Sequence, residues 1–480
     1  MRMLTTSKGA IAAVLLLVLA GCGGGKGESA EVAVSSGGTA IKTAGGKNVN
    51  IEAHNRWKAA LDAFDAAASS GWNDGKCDSV ASKFEDAADA QGGKFAEAWY
   101  MAGVAHQACN RSQKAVSFFN RALRDAPKFC KARVGIGIDH VDSGRDMQGQ
   151  REFERAVRDD PQCTEGYVNL ARLQRRSGRA GNKEALNNLR RALAIDAQYL
   201  PAFNEMALVY LSDAEDNKKA LDLAEVVCSQ AQKINKDYAP VYNTWGLIDL
   251  QREEIIAAAA KFQQALQLDP SIFEAHMNFA RITIGFRGYE DARAAYVKAL
   301  QLQPKSFEAQ LGLGVALRGL EKPQEAEEAY KKAIALNPSR PEPYFNLGVL
   351  YQDFMNGTVD DMKRAKGYYD QFLSRAGGNS VYKSTVDEIT TKCKLGKSGK
   401  PPRGSKCTSG RFQNIDLYLA AMKEMEAIEK LQKEAEAMEK QQQSQMEQQE
   451  AAAPPAEAPP AEGAKPDAKP AEGAKPAEKK

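Results

Sequence analysis

The sequence predicts an all-α solenoid of stacked helix pairs, and three observations predict it. A phrase ending in proline returns at a fixed interval: Pro127 and Pro161 stand 34 residues apart, and Pro270, Pro304 and Pro338 keep the same step. A small–aromatic–small triplet precedes each proline: Ala115, Phe119, Ala122; Gly149, Phe153, Ala156; Ala258, Phe262, Ala265; Ala292, Tyr296, Ala299; Ala326, Tyr330, Ala333. Upstream of each triplet, small residues such as Gly103, Gly246, Gly314 and Gly348 sit inside apolar, helix-spaced runs. Self-similarity at a fixed period is the mark of a repeat array, in which no single unit can bury its own apolar face.

Taken in order, the chain opens with a targeting segment. Arg2 and Lys8 supply positive charge, and Gly9 to Ala20 form a run of roughly twelve mostly apolar residues, too short to span a bilayer comfortably and laid out like a secretory signal. Leu19-Ala20-Gly21-Cys22 closes the run. This motif resembles the lipobox of bacterial lipoproteins. The resemblance implies a signal peptide over 1–21, cleavage before Cys22 and acylation of Cys22 by palmitate-type chains. It places the mature chain on a membrane outside the cytoplasm. Gly23 stands where an Asp retains many such lipoproteins in the inner membrane, so the expected address is the periplasmic side of the outer membrane. Residues 22–50, rich in Gly, Ser, Ala and Lys, read as a lipidated flexible tether.

Residues 51–95 read as a degenerate first helix pair that caps the array, with Trp57, Leu61 and Phe64 on one helix and Val80, Phe84 and Ala87 on the other. Eight units follow over 96–379. They begin near residues 96, 130, 164, 200, 239, 273, 307 and 341. This pattern resembles the tetratricopeptide repeat, a helix-turn-helix unit; Tyr344, Leu347, Gly348 and Tyr351 make its cleanest example. Insertions of about two, five and five residues in the third, fourth and last units are expected in the turn between the two helices. The resemblance implies a superhelical solenoid whose first helices line a concave groove, and a protein-binding scaffold rather than an enzyme. It also implies which residues face that groove: Tyr100, Val134, Ile138, Arg172, Arg175, Leu208, Asn243, Leu247, Met277, Arg281, Leu311, Arg318 and Phe345. The arginines would orient an extended ligand through its carboxylates, with aliphatic anchors between them.

Composition removes other classes. Lys+Arg 65 against Asp+Glu 62 gives no basic field for nucleic acid. No phosphate loop, paired-carboxylate motif or zinc-protease motif occurs, so no catalytic residue, cofactor or metal is assigned. His106 and His140 share a repeat position that normally holds a packed aromatic, and they read as core. In an oxidising compartment, Cys393 with Cys407 would close the Gly/Lys/Pro-rich loop between them. Cys77 with Cys109 would bridge helix ends on one edge, Cys130 with Cys163 is a further pairing, and Cys228 stays free.

Residues 380–413 read as a capping helix and the Cys-flanked loop. Over 414–450, Leu417, Met425, Ile428, Leu431, Ala435 and Met438 recur at threes and fours among Glu and Lys, which predicts an amphipathic helix. It reads as a short coiled coil, a helix returning onto the last repeat, or a solvated helical spacer. Residues 451–480, rich in Ala, Pro, Lys and Glu, read as a disordered tail. The layout suits a lipid-anchored scaffold whose partners are proteins or peptides of an envelope complex, and it resembles tetratricopeptide lipoproteins of the myxobacterial gliding-motility machinery. An assembly factor for a pilus or secretion secretin, or an adaptor for peptidoglycan enzymes, is the alternative.

Overall fold

A computed structural model describes residues 40–214, 217–392 and 410–452, with side chains through 445. The expected signal peptide, Cys22, most of the expected tether, Cys393, Cys407 and the expected tail lie outside the described residues. Among the described residues the chain is helical apart from a short turn at the start.

That turn corrects the expected end of the tether. Residues 40–50 fold back on themselves through an antiparallel bridge between Lys42 and Asn48. Gly46, at φ 78°, allows the reversal. The reason is a spaced apolar pair that the Gly/Ser-rich composition masks: Ile41 and Val49 both enter the core against the first helices. Asn50 then caps the first helix, accepting from the Ala53 amide at 2.7 Å while its own side-chain amide donates to the Ala90 carbonyl.

The helices follow as pairs. The cap is α1 (Ile51–Ser70) and α2 (Asp74–Ala90). The units are α3 (Ala96–Ala108) with α4 (Ser112–Asp125), α5 (Cys130–Asp142) with α6 (Asp146–Asp159), and α7 (Thr164–Arg176) with α8 (Arg179–Ile195). Then come α9 (Leu200–Asp213) with α10 (Lys219–Ile234), α11 (Ala239–Gln251) with α12 (Ile255–Leu268), and α13 (Phe273–Gly285) with α14 (Tyr289–Leu302). The run ends with α15 (Phe307–Gly319), α16 (Pro323–Leu336) and α17 (Glu342–Asp353).

Four units close on the same contact. The aromatic of the second helix lies on a small residue of the first: Phe119 on Gly103, Phe153 on Gly137, Phe262 on Gly246 and Tyr330 on Gly314. A β-carbon on any of these glycines would come closer than 3.0 Å to the ring. The glycine therefore sets how near the two helices approach, and Ala115, Ala122 and their equivalents are fully buried on the opposing side. The turn between the helices is equally regular. Asn110, Gly144, Gly178, Glu253, Arg287 and Glu321 all have positive φ, between 58° and 75°. The third unit departs from expectation: its extra residues lengthen α8 to 17 residues, against 14 for α4 and α6, instead of looping out. Gly181, pressed against the Gln174 carbonyl, and Asn182, bonded to Ser212 and Asp213, make that added turn part of the packing.

The chain divides into two compact units, one through Met355 and one from Asn356. The second contains α18 (Val359–Ala376), a short 3-10 turn (Ser380–Tyr382), α19 (Lys383–Thr390) and α20 (Arg411–Ala452). Thr358 and Asp361 form a reciprocal cap on α18. Its core is Tyr369, Phe372, Ile389 and Ile415.

Candidate functional site

The inner face of the first unit is built from the first helix of each repeat. Arg172 and Arg175 of α7 both reach Glu205 of α9, at 3.3 and 2.6 Å. Glu205 is 1% exposed. Burial opposes its ionisation, but the two guanidinium groups outweigh that and hold the carboxyl below its ordinary range. The two arginines expected to wait for a ligand thus already hold a carboxylate of the neighbouring repeat. Sequence alone hides this, because Glu205 lies between groove positions and its partners come from another unit. Arg281 is exposed, with no ion-pair or hydrogen-bond partner among the described residues. Arg318 donates to the Asn346 side-chain oxygen at 3.2 Å and lies 5.6 Å from the Phe354 ring centroid.

The aliphatic positions behave differently from the expected anchors. Val134 and Met277 are buried in the helix packing, and Ile138, Leu208, Leu247, Leu311 and Phe345 are half-buried. Leu247 packs beside Phe262 and Ile282. Successive first helices lie close enough to absorb these side chains between repeats, which leaves the open face more polar than the sequence suggests.

Behind that face in its centre lies a bonded polar row, in which Asn169, Thr244 and Asn278 are buried and Asn204, Asn243 and Asn346 half-buried. The Asn278 amide donates to the Asn243 oxygen at 3.0 Å, and the Thr244 hydroxyl donates to the Asn204 oxygen at 2.7 Å. Asn169 and Asn346 each donate to a carbonyl one turn back in their own helices, those of Glu165 and Glu342. Asn169, Asn278 and Asn346 share one repeat position. That column is visible in the sequence once the units are aligned. The half-buried Tyr100, Tyr199 and Tyr238 add aromatic surface. Burial raises the pKa of each hydroxyl, and Glu165 adds to this at Tyr100 and Tyr199. Burial raises the pKa of the Glu274 carboxyl, and the charge of Arg172, three repeats away, opposes that rise.

At the amino-terminal end the folded turn meets the same face. The Ala44 amide donates to Glu97 Oε1 at 2.6 Å, while Glu97 Oε2 is buried with no hydrogen-bond partner among the described residues. Burial pushes the Glu97 carboxyl up to about 7. Asp125 adds to the rise, and the Ala44 amide and Lys131 oppose it.

Cys77 and Cys109 are joined, with Cα atoms 6.4 Å apart, and so are Cys130 and Cys163, at 5.7 Å. Cys228 is buried and unpaired, its thiol pushed up to about 12 by that burial. Cys130, Cys163 and Glu165 cluster as potential metal ligands, but the two sulfurs are bonded to each other. His106 is buried with its ring stacked on Phe118, and burial lowers its pKa. No helix among the described residues is long and apolar enough to cross a membrane.

The tetratricopeptide-repeat family matches the chain at residues 96–129 and 279–341. The fold is a tetratricopeptide-repeat solenoid. No curated protein matches the sequence. Among solved structures the chain is similar to TTC0263, a thermophilic tetratricopeptide protein of Thermus thermophilus. The two share 28% identity over 39% of this chain and 99% of that one, with a TM-score of 0.36. It is similar to pilF of Pseudomonas aeruginosa at 19% identity, over 47% and 96% of the two chains, with a TM-score of 0.38. It is also similar to YrrB, described as a tetratricopeptide protein with an unusual peptide-binding site, at 20% identity over 40% and 95%, with a TM-score of 0.29. Tetratricopeptide proteins generally mediate protein–protein contacts and are typically not enzymes.

Proposed function

We propose that this tetratricopeptide protein is a lipid-anchored scaffold that holds an extended protein segment along its inner face and so helps assemble a cell-envelope complex. Half-buried Asn204 and Asn243 carry the reading: buried Thr244 and Asn278 donate to their side-chain oxygens and hold the two amides in place on that face. An extended main chain presents one donor and one acceptor per residue. Side-chain amides carried by successive repeats offer both, so they can grip a backbone while leaving its sequence free. Exposed Arg281 supplies one charge contact beside them. The anchor rests on Leu19-Ala20-Gly21-Cys22 and the outer-membrane address on Gly23, and the balanced charge gives no reason to invoke nucleic acid. Gliding motility is the machine this reading favours. Secretin assembly and peptidoglycan-enzyme recruitment are the competing settings.

The test is a photo-crosslinker at position 281, because Met277 is buried, placed in the protein in its native host. Adducts with an envelope protein are expected, and Asn243→Ala with Asn278→Ala should deplete them. Adducts that persist unchanged in that double variant would move binding off the inner face. In parallel, Cys22→Ser is expected to shift the protein from the membrane to the soluble fraction; retention on the membrane would remove the lipid anchor.

A further inference from the structure

Helix α20 is two things in one. Its first two turns are part of the second unit. Phe412 meets the Tyr369 ring at 6.2 Å, Ile415 is buried, Arg411 pairs with Glu388 at 2.7 Å and Lys366 with Asp416 at 2.6 Å, and the Tyr418 hydroxyl donates to the Gly357 carbonyl. Leu419 and Met422 are still half-buried, and every residue from 423 through 445 is exposed. Met425, Ile428, Leu431 and Met438 are 61, 55, 65 and 62% exposed.

Those residues are ordered along the helix. Ile428, Leu431, Ala435 and Met438 follow at steps of three and four, which gives the narrow stripe of a helix–helix seam rather than the broad face of a core helix. Charge is sorted around it. Lys423, Lys430, Lys433 and Lys440 fall away from the seam together with Glu429 and Glu436, while the positions beside it carry Glu434 and Glu439, with Ala427 and Gln432 and no lysine. Lys433 and Lys430 reach only sideways, to Glu429 at 2.7 Å and Glu434 at 3.9 Å. Two copies of this helix make a poor pair. In parallel they set Glu434 against Glu439 of the other copy, and antiparallel they set Glu434 against Glu434. Like charges beside a seam select against such pairing.

We propose that residues 425–438 of α20 dock an amphipathic helix of a partner protein whose own apolar stripe is bordered by lysine or arginine. The seam supplies the hydrophobic contact, and the glutamate border sets the sign of the partner. This stands apart from the inner-face reading and does not depend on it.

Fluorescence anisotropy on the full-length protein tests it. Two synthetic heptad-repeat peptides share an Ile/Leu seam, one bordered by Lys and the other by Glu. The Lys-bordered peptide is expected to bind roughly tenfold more tightly, and added salt should weaken it. Ile428→Ala with Leu431→Ala keeps helix-forming residues and is expected to abolish binding while circular dichroism stays unchanged. Glu434→Lys with Glu439→Lys should reverse the preference between the peptides. Equal binding of both peptides, binding of neither, or a Leu431-dependent dimer in sedimentation would each overturn the proposal.

Discussion

At the scale of single residues, the inner face is governed by how each charge is compensated. Glu205 and Glu97 are contrasting cases. Glu205 is buried between two guanidinium groups and stays ionised, whereas Glu97 has one amide donor and an unpaired oxygen. With its folded carboxyl raised to about 7 from an ordinary value of 4.5, the folded state binds the Glu97 proton more tightly than the unfolded state. Its contribution to stability is therefore fully present below the ordinary value and is lost as pH rises through the raised one. Glu97→Gln removes that loss. Above pH 7 the variant is expected to be more stable than the parent by about 1–3 kcal/mol. Urea midpoints at pH 5 and pH 8 check this: the parent should weaken between the two and the variant should change much less. The same contrast explains what sequence could and could not show. Arg172 and Arg175 were legible as inner-face positions because the repeat register places them there, and Glu97 falls in the same register. Their partners were not, since Ala44 comes from a segment whose composition reads as tether and Glu205 from another repeat.

At the scale of elements, the repeat register carried most of the information. The glycine–aromatic contacts, the buried alanines and the terminal prolines are local packing demands that recur from unit to unit, so they were readable without a structure. The length of α8 was not, because an insertion can enter a helix or a loop with the same residue count. Nor was the conformation of the turn between the helices. Glu253, Arg287 and Glu321 carry φ of 65°, 60° and 58°, a region that costs a residue with a β-carbon roughly 1–2 kcal/mol. Gly144 and Gly178 occupy the same position without that cost. Replacing any of the three by glycine relieves the strain but adds freedom to the unfolded chain, so the net gain is expected to be about 0.5–1 kcal/mol. Asn110→Gly should gain least, since asparagine tolerates this conformation. Denaturant titration of the single variants checks the order. A loss of stability at Glu253 or Arg287 would mean that their side chains contribute more to the turn than its backbone costs.

At the scale of the whole molecule, a solenoid is held by neighbours, and its stability is a sum of units and interfaces rather than one core. The first unit is not uniform in this respect. The bond between Cys77 and Cys109 ties the cap to the first repeat, and that between Cys130 and Cys163 ties the start of the second repeat to the residue that leads into the third. Each closes a long loop, and chain entropy alone makes such a closure worth about 3–4 kcal/mol. Both staples lie in the amino-terminal half, and among the described residues no disulfide is found in the repeats from α9 to α17. A defect far from the staples should therefore melt its own neighbourhood first. Gly314→Val forces a side chain into the Tyr330 ring, where even a β-carbon has no room. Hydrogen exchange is expected to accelerate in α15 and α16 and in the adjoining α13, α14 and α17, while α1 to α8 keep their protection. Adding a reductant should then extend the loss toward the amino terminus. If protection instead collapses across all of these helices together in the oxidised variant, the unit folds as one cooperative block and the staples do not partition it.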